Sequence, residues 1–357
     1  MRMTGGQALV QQLLRNGIDT VFGLPGIKLD FVFDALWEER DRIRVIHTRH
    51  EQATAYMADG FARSTGRVGT CLVVPGPGLL NAAAALATAY ACGSRILCLT
   101  GQIRSDQIGV GGGALHEIKD QLETISSVVK HAERVLTPEA IPGAVQRVLV
   151  ELHEGRPRPV ELEVPPDVLE RVADVTLVDP KLPGEGPALD LDLLEDAARL
   201  LGGAERPLIC CGGGVLSSGC WEALQELSRL REAPVLMTDH GRGAVSDRDY
   251  HAQTGRVANR ALVPGADAIL AVGTRFSMMW SARFRSRIPE ETLVIQIDID
   301  PDEIGRNYPP EIGIAADAGQ ALGELCSRIP RHNRARESRK EELCALAERS
   351  REQWARA

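Results

Sequence analysis

Residues 69–91, "GTCLVVPGPGLLNAAAALATAYA", decide the fold. The stretch opens with a short apolar run rich in Val and breaks at Pro75, Gly76, Pro77 and Gly78. It then continues as an Ala- and Leu-rich segment with little to oppose a helix. A strand that passes through a glycine loop into a helix is half of a βαβ unit. The same alternation recurs outward in both directions. "DTVFGLPG" (19–26) reads as strand then loop, "FVFDALWEERD" (31–41) as helix, and "IRVIHT" (43–48) as strand. "RHEQATAYMADGFAR" (49–63) is a helix, and "RILCLTGQ" (95–102) is a further strand. Upstream, "MRMTGGQALVQQLLRNG" reads as an amphipathic helix with Thr4 as its N-cap and Gly17 as its stop.

The expected fold class is therefore α/β, with two doubly wound parallel-sheet domains. The first runs over 1–173. Residues 174–189, "DVTLVDPKLPGEGPAL", hold three prolines without periodicity and read as a linker. A second strand–helix series spans 190–330, through "PLICCGGG", "APVLMTDHGRG", "DAILAVGTRF" and "LVIQIDIDPDEIG". Residues 331–357 read as a charged helical tail, with Trp354 marking a side that docks. In open sheets of this kind, ligands bind at the C-terminal ends of the strands. Three strands of the first domain end there in glycine-bearing loops.

Composition narrows the function classes. The chain has 357 residues, 44% of them hydrophobic and 25% charged, with a net charge of −8. That balance gives no basic footprint for nucleic acid. No apolar run reaches the roughly 18 residues of a membrane span, and the N-terminal helix lacks a signal peptide's continuous apolar core. A cytoplasmic enzyme is expected. The eight cysteines form no CxxC pair, and several sit inside apolar runs as small hydrophobes. There is no GxxxxGK[ST] loop, no GxGxxG, no HExxH and no GxSxG.

Glu51 is the odd residue of its helix. Its neighbours three, four and seven positions on are Thr54, Ala55 and Ala58, so its face carries small side chains and no cation. A Glu in a first helical turn is commonly there for the helix dipole alone. Likewise "GLPG" (23–26), "PGPGLLN" (75–81) and "GGGALHE" (111–117) could each be simple turns. Free N–H groups at such loops also suit close approach of a ligand.

Taken in order, "GLPG", "RHEQATAYMADGFAR", "PGPGLLNAAAALATAYACGS", "TGQI", "LHE", "VVKH" and "GRPRPVELEVPPDV" resemble the pyrimidine-binding domain of thiamine diphosphate enzymes. The acetolactate synthase-like large subunits are the group resembled most, and residues 190–330 resemble that family's central domain. The resemblance implies a lyase or transferase that decarboxylates a 2-oxo acid, with or without joining it to an acceptor. It makes Glu51 the catalytic acid that touches N1′ of the cofactor's aminopyrimidine, and it expects that acid to be buried among small neighbours. Pro25, Gly26, Gly78, Asn81 and His116 match positions around the pyrimidine. Arg156, Gly273, Arg275, Asp298 and Asp300 match positions that would hold a structural FAD. Against that, a glycine-rich loop usual before "RVANRAL" is absent, and Asp298 and Asp300 also read as caps of the following turn.

Three substitutions stand where the family selects substrate: Leu115 for Phe, His116 for Gln, and Arg104 for Pro. They imply a roomier and more polar pocket than acetolactate formation uses. The family also needs GDG followed by Asn to hold Mg2+ and the diphosphate, and no GDG occurs in this sequence. The resemblance thus expects either that this chain is a fragment of a longer protein or that the diphosphate-binding domain is a separate subunit acting in trans, and it expects a homo-oligomer. The alternative from another class is a non-catalytic nucleotide-binding or regulatory subunit, in which nothing would require an acid at position 51.

Overall fold

The computed structural model describes residues 1–181, 184, 186–275, 288–334 and 337–355, with Trp354 described by its backbone alone. The chain divides into two compact units, Met1–Gly184 and Glu185–Ala357. The side-chain docking expected of Trp354 lies outside the described residues.

In the first unit, β1 (Arg2–Thr4) leads into α1 (Gly5–Arg15), β2 (Thr20–Gly23), α2 (Asp30–Glu38) and β3 (Arg44–His47). Then come α3 (Glu51–Thr65), β4 (Gly69–Val73), α4 (Pro77–Cys92) and β5 (Ile96–Gly101). The remainder is α5 (Gln121–Ser126), β6 (His131–Arg134), α6 (Ile141–His153), β7 (Val160–Val164), α7 (Pro166–Glu170) and β8 (Val172–Asp174). Six strands pair in parallel in the order β3-β2-β4-β5-β7-β6. Alternate residues of each strand serve opposite faces. Leu72, Leu97 and Leu162 join the core formed with α1, α2 and α6, while Cys71, Val73 and Cys98 join that formed with α3, α4 and α5. Both faces are covered, which is why β4 and β5 are buried along their whole length.

Thr4 caps α1 as expected. Its Oγ accepts the Gln7 N–H at 3.1 Å, and the Gln7 side chain accepts the Thr4 N–H at 3.0 Å. The small-residue face of α3 has a packing role. Thr54, Ala55, Ala58, Asp59 and Ala62 are buried, and a Cβ on Gly69 of β4 would stand 2.1 Å from the Ala58 carbonyl oxygen. The stretch read as a linker begins inside a paired strand, since β8 runs antiparallel to β1. Gln12 then exchanges two side-chain hydrogen bonds of 3.0 Å with the backbone of Val178.

The second unit contains α8 (Leu191–Gly203), β9 (Pro207–Cys211), α9 (Gly213–Ser217), α10 (Trp221–Arg231), β10 (Val235–Met237) and β11 (Ala252–Gln253). It continues with α11 (Gly255–Leu262), β12 (Ala268–Val272), β13 (Leu293–Asp298), β14 (Ile312–Ala315), α12 (Ala318–Arg328) and α13 (Lys340–Ala355). Its sheet is also parallel, in the order β11-β10-β9-β12-β13-β14. The tail helix α13 is part of this unit. Leu343 and Leu346 are buried with Ala258 and Leu262 of α11, and the Gln253 amide donates to the Leu343 carbonyl at 3.0 Å. All eight cysteines are free thiols. Among the described residues, no helix is long and apolar enough to cross a membrane.

Candidate active site

The C-terminal ends of β2, β3, β4 and β5 bring the expected residues of the first unit together. Glu51 is the first residue of α3, whose N-cap His50 accepts the Gln52 N–H on its ring nitrogen at 3.1 Å. The carboxylate is half-buried rather than enclosed, which corrects the expectation of full burial. The reason is the position: residue 51 stands at the helix end, and the buried small residues begin one turn further in. One oxygen, Oε2, accepts from the Asn81 side-chain amide at 3.0 Å. The other lies over bare backbone, for a Cβ on Gly78 would stand 3.3 Å from Oε1.

The glycines here maintain a narrow clearance. Val74 at the end of β4 lies between two of them. A Cβ on Gly26 would come within 2.6 Å of one Val74 methyl, and a Cβ on Gly78 within 2.5 Å of the other. Helix α4 starts earlier than the glycine loop suggests, with Gly76 as N-cap and Pro77 in the first turn, so Gly78 is already helical. Gly76 has φ 57° and ψ −114°, and a Cβ there would meet the His116 carbonyl oxygen at 2.3 Å. Pro25 is exposed beside Gly26.

His116 and Lys28 take positive φ values of 74° and 88°, and they are the only non-glycine residues of the first unit, among those described, to do so. Strain of this kind costs of order 1–3 kcal/mol and concentrates at functional sites. The His116 ring nitrogen Nδ1 is buried and has no hydrogen-bond partner among the described residues. Burial lowers the basicity of the imidazole, and the Lys28 ammonium lowers it further, while Glu51 pulls it partly back up. His116 thus holds a proton less readily than a free imidazole does, and it lies within electrostatic reach of Glu51.

The other substrate-side positions fare differently. Leu115 is largely exposed. Arg104 pairs with Asp106 at 3.3 Å. Burial raises the Asp167 carboxyl, but Ser105 hydrogen bonds and the Arg104 charge outweigh it, leaving the group below its ordinary value. The cation felt at His116 is Lys28, a residue that sequence reasoning passed over because a loop lysine carries no pattern. Glu117 uses its carboxylate to tie its own loop, accepting from Gly111 N–H at 3.0 Å and Ala114 N–H at 2.8 Å.

The residues matched to a flavin do not gather in the first unit. Arg156 lies ahead of β7, at the N-terminal edge of the sheet, where its side chain approaches the Ala91 carbonyl at 3.5 Å. In the second unit, Gly273 and Arg275 follow β12, and Asp298 and Asp300 end the adjacent β13. Asp298 accepts the Asp300 N–H at 3.0 Å, and Asp300 accepts the Asp302 N–H at 3.1 Å, so both cap the turn. Gly212 and Gly214 cross Gly273 so closely that a Cβ on Gly212 would stand 2.1 Å from its carbonyl oxygen. Among the described residues there is no group of three or more His, Cys, Asp or Glu that could hold a metal ion.

Residues 3–124 match the model of the thiamine pyrophosphate enzyme N-terminal TPP binding domain, and residues 194–325 match that of the central domain. A probable 2-ketoarginine decarboxylase of Pseudomonas aeruginosa is 36% identical over 340 residues, covering 93% of this chain and 59% of that protein. A probable acetolactate synthase large subunit of Methanocaldococcus jannaschii is 36% identical over 342 residues, covering 92% of this chain and 56% of its own. An acetolactate synthase of Arthrospira platensis is 34% identical over 344 residues, with 92% and 58% covered. The chain thus spans a little over half the length of these curated relatives.

Proposed function

The chain belongs to the thiamine pyrophosphate enzyme family, and on that premise we propose that its first unit forms the pyrimidine-binding half of a 2-oxo acid decarboxylase or carboligase site. One observation carries the reading. The Glu51 carboxylate is oriented by Asn81 on one oxygen and left open over Gly78 on the other, at the strand ends where ligands bind. Gly26 and Gly78 pack against Val74 without room for a side chain of their own, which keeps the backbone beside Glu51 bare. When bound, thiamine pyrophosphate supplies the electron sink for the pair released as the C–CO2 bond breaks.

The residues of this chain have narrower tasks. Glu51 holds a proton at the pyrimidine N1′, with Asn81 keeping its free oxygen turned inwards. Gly26 and Gly78 leave backbone surface for the ring face, and Pro25 stiffens the loop. His116 is proposed to exchange a proton on the substrate side, a role supported by its buried ring nitrogen without a partner among the described residues. Mg2+ and the diphosphate are proposed to be held by residues outside these two units, in a homo-oligomer. A flavin, if the second unit takes one, would lie over the glycine crossing at Gly273 as a structural ligand, and no step is assigned to it. Eight free thiols accord with a cytoplasmic enzyme.

Glu51→Gln in the active enzyme is expected to leave folding intact and reduce CO2 release by about 10²–10⁴-fold, the range of a lost acid–base group. Near-normal turnover in a folded variant would remove Glu51 from the reaction. The non-catalytic alternative predicts no release from the unsubstituted protein either. For the substrate, exposed Leu115 and the imidazole in place of an amide support aldehyde release over joining two pyruvates. The relative named for 2-ketoarginine points the same way. Supplying pyruvate, 2-ketoarginine and acidic 2-oxo acids in parallel, then quantifying products, tests this. Acetolactate as the dominant product throughout would overturn it.

A further inference from the structure

The strand β7 reads "VELEV", an alternation that ordinarily turns its acids to water. Here every residue of the strand is buried, Glu161 and Glu163 included. A buried carboxylate must be paired and hydrogen-bonded, and Glu163 is both. Arg134 of β6 donates to its Oε1. The Gln102 amide lies 3.3 Å from each oxygen. The amide of Gln121, the first residue of α5, donates to Oε2 at 2.7 Å.

Gln121 is itself only 1% exposed. Its side-chain nitrogen also donates to the Gly101 carbonyl at 3.0 Å, and its oxygen accepts the Gly76 N–H at 2.8 Å. With a backbone donor on one side and two acceptors on the other, the amide has a single satisfactory orientation. Gly76 is the N-cap of α4, in a conformation reserved for glycine, with the His116 carbonyl against its Cα and Gly78 beside Glu51 two residues on.

We propose that Gln121, held by Glu163, is a positioning residue of the active site: it fixes the Gly76 peptide, and through it the spacing of Glu51, Gly78 and His116. The catalytic part of this statement rests on the function proposed above, whereas the clamp on Gly76 does not. Gln121 touches neither substrate nor cofactor position. Its removal therefore lowers kcat and leaves KM near its original value, because misplacement of catalytic groups is felt in the transition state.

Two variants and one pair test it. Gln121→Met keeps the volume and removes all three hydrogen bonds. In the 357-residue chain, the Gly76 amide is expected to exchange with deuterium at least about tenfold faster, the order one hydrogen bond supports. In the active enzyme kcat falls by about tenfold or more with KM little changed. Gln121→Glu keeps the shape but sets a second carboxyl beside Glu163, and two carboxyls this close do not both ionise. Arg134 on β6 favours the charged pair, and Glu161 on β7 opposes it. The variant is expected to work at low pH and to lose kcat as pH rises and the shared proton leaves, a descending limb absent from the unsubstituted enzyme. Combining Gln121→Glu with Glu163→Gln restores one charge and one amide, and the limb disappears. Unchanged Gly76 exchange in Gln121→Met, a Gln121→Glu profile without the limb, or a limb that persists in the double variant would each overturn the inference. If the unsubstituted enzyme acts on no 2-oxo acid, the proposed function fails while Gly76 exchange still decides the clamp.

Discussion

His116 shows how a single residue is set by neighbours far away in the sequence. Its ring is held below the ordinary imidazole value of 6.5 by burial first and by Lys28 second, with Glu51 opposing. The signs follow from charge alone: a nearby cation disfavours the imidazolium, and a nearby carboxylate favours it. Lys28→Met should therefore raise the His116 pKa, and Glu51→Gln should lower it further. An NMR titration of the imidazole reads both shifts, and a pKa indifferent to both substitutions would separate His116 from the other two. At this scale the sequence was informative where a residue type was unusual for its place. Glu51 is legible for that reason, Gly78, Asn81 and His116 through the family resemblance, and the four lie near one another in the structure. Lys28 was not, because only the fold brings the loop after β2 near the loop that carries His116. Arg104 is named as a cation from the family position alone, and in the structure it pairs with Asp106 at 3.3 Å.

Elements were legible where the hydrophobic pattern was unambiguous. The strands of "GTCLVV" and "RILCLTG" and the helix that follows Thr4 stand where the pattern put them, and the helix after the glycine loop begins two residues early, at Pro77. Strand β7 is the instructive exception. Its period of two is genuine, but both faces of a parallel sheet are covered, so the polar face is buried as well. Glu161 pays for that position. Burial raises its pKa well above the ordinary carboxylate value, and the charge of Glu163 raises it further, against a hydrogen bond with Thr100 and the charge of Arg134. The folded chain then holds a proton that the unfolded chain releases, so stability falls as pH rises from the ordinary carboxylate range towards the raised value. Glu161→Gln removes the linkage, and the decline of stability above pH ~5 should flatten. Denaturant melts across pH for both proteins check this, and parallel curves would rule out the linkage.

Over the whole chain, two units were legible from composition, whereas the assignment of their edges depended on tertiary pairing. The charged tail hints at docking only through Trp354, and the side chains that complete a core are two leucines further back. Leu343 and Leu346 seal the α11 face of the second unit. Leu343→Ala should cost about 2–5 kcal/mol, as for other buried leucines. Because the cores are separate, the loss should appear in the unfolding of the second unit and leave that of the first unchanged. Calorimetry with a reporter in each unit measures the two, and an unaltered second transition would mean that α13 is dispensable. The β1–β8 ribbon carries a further consequence, for synthesis on the ribosome. It joins Arg2 to Asp174 and Thr4 to Val172, the first strand made to the last strand of its unit. At ~5–20 residues per second, β1 waits roughly ten to thirty seconds for its partner to be translated. Throughout that interval an unpaired edge is exposed on the nascent chain, so slowing translation before residue 174 would lengthen the period in which a chaperone is needed there.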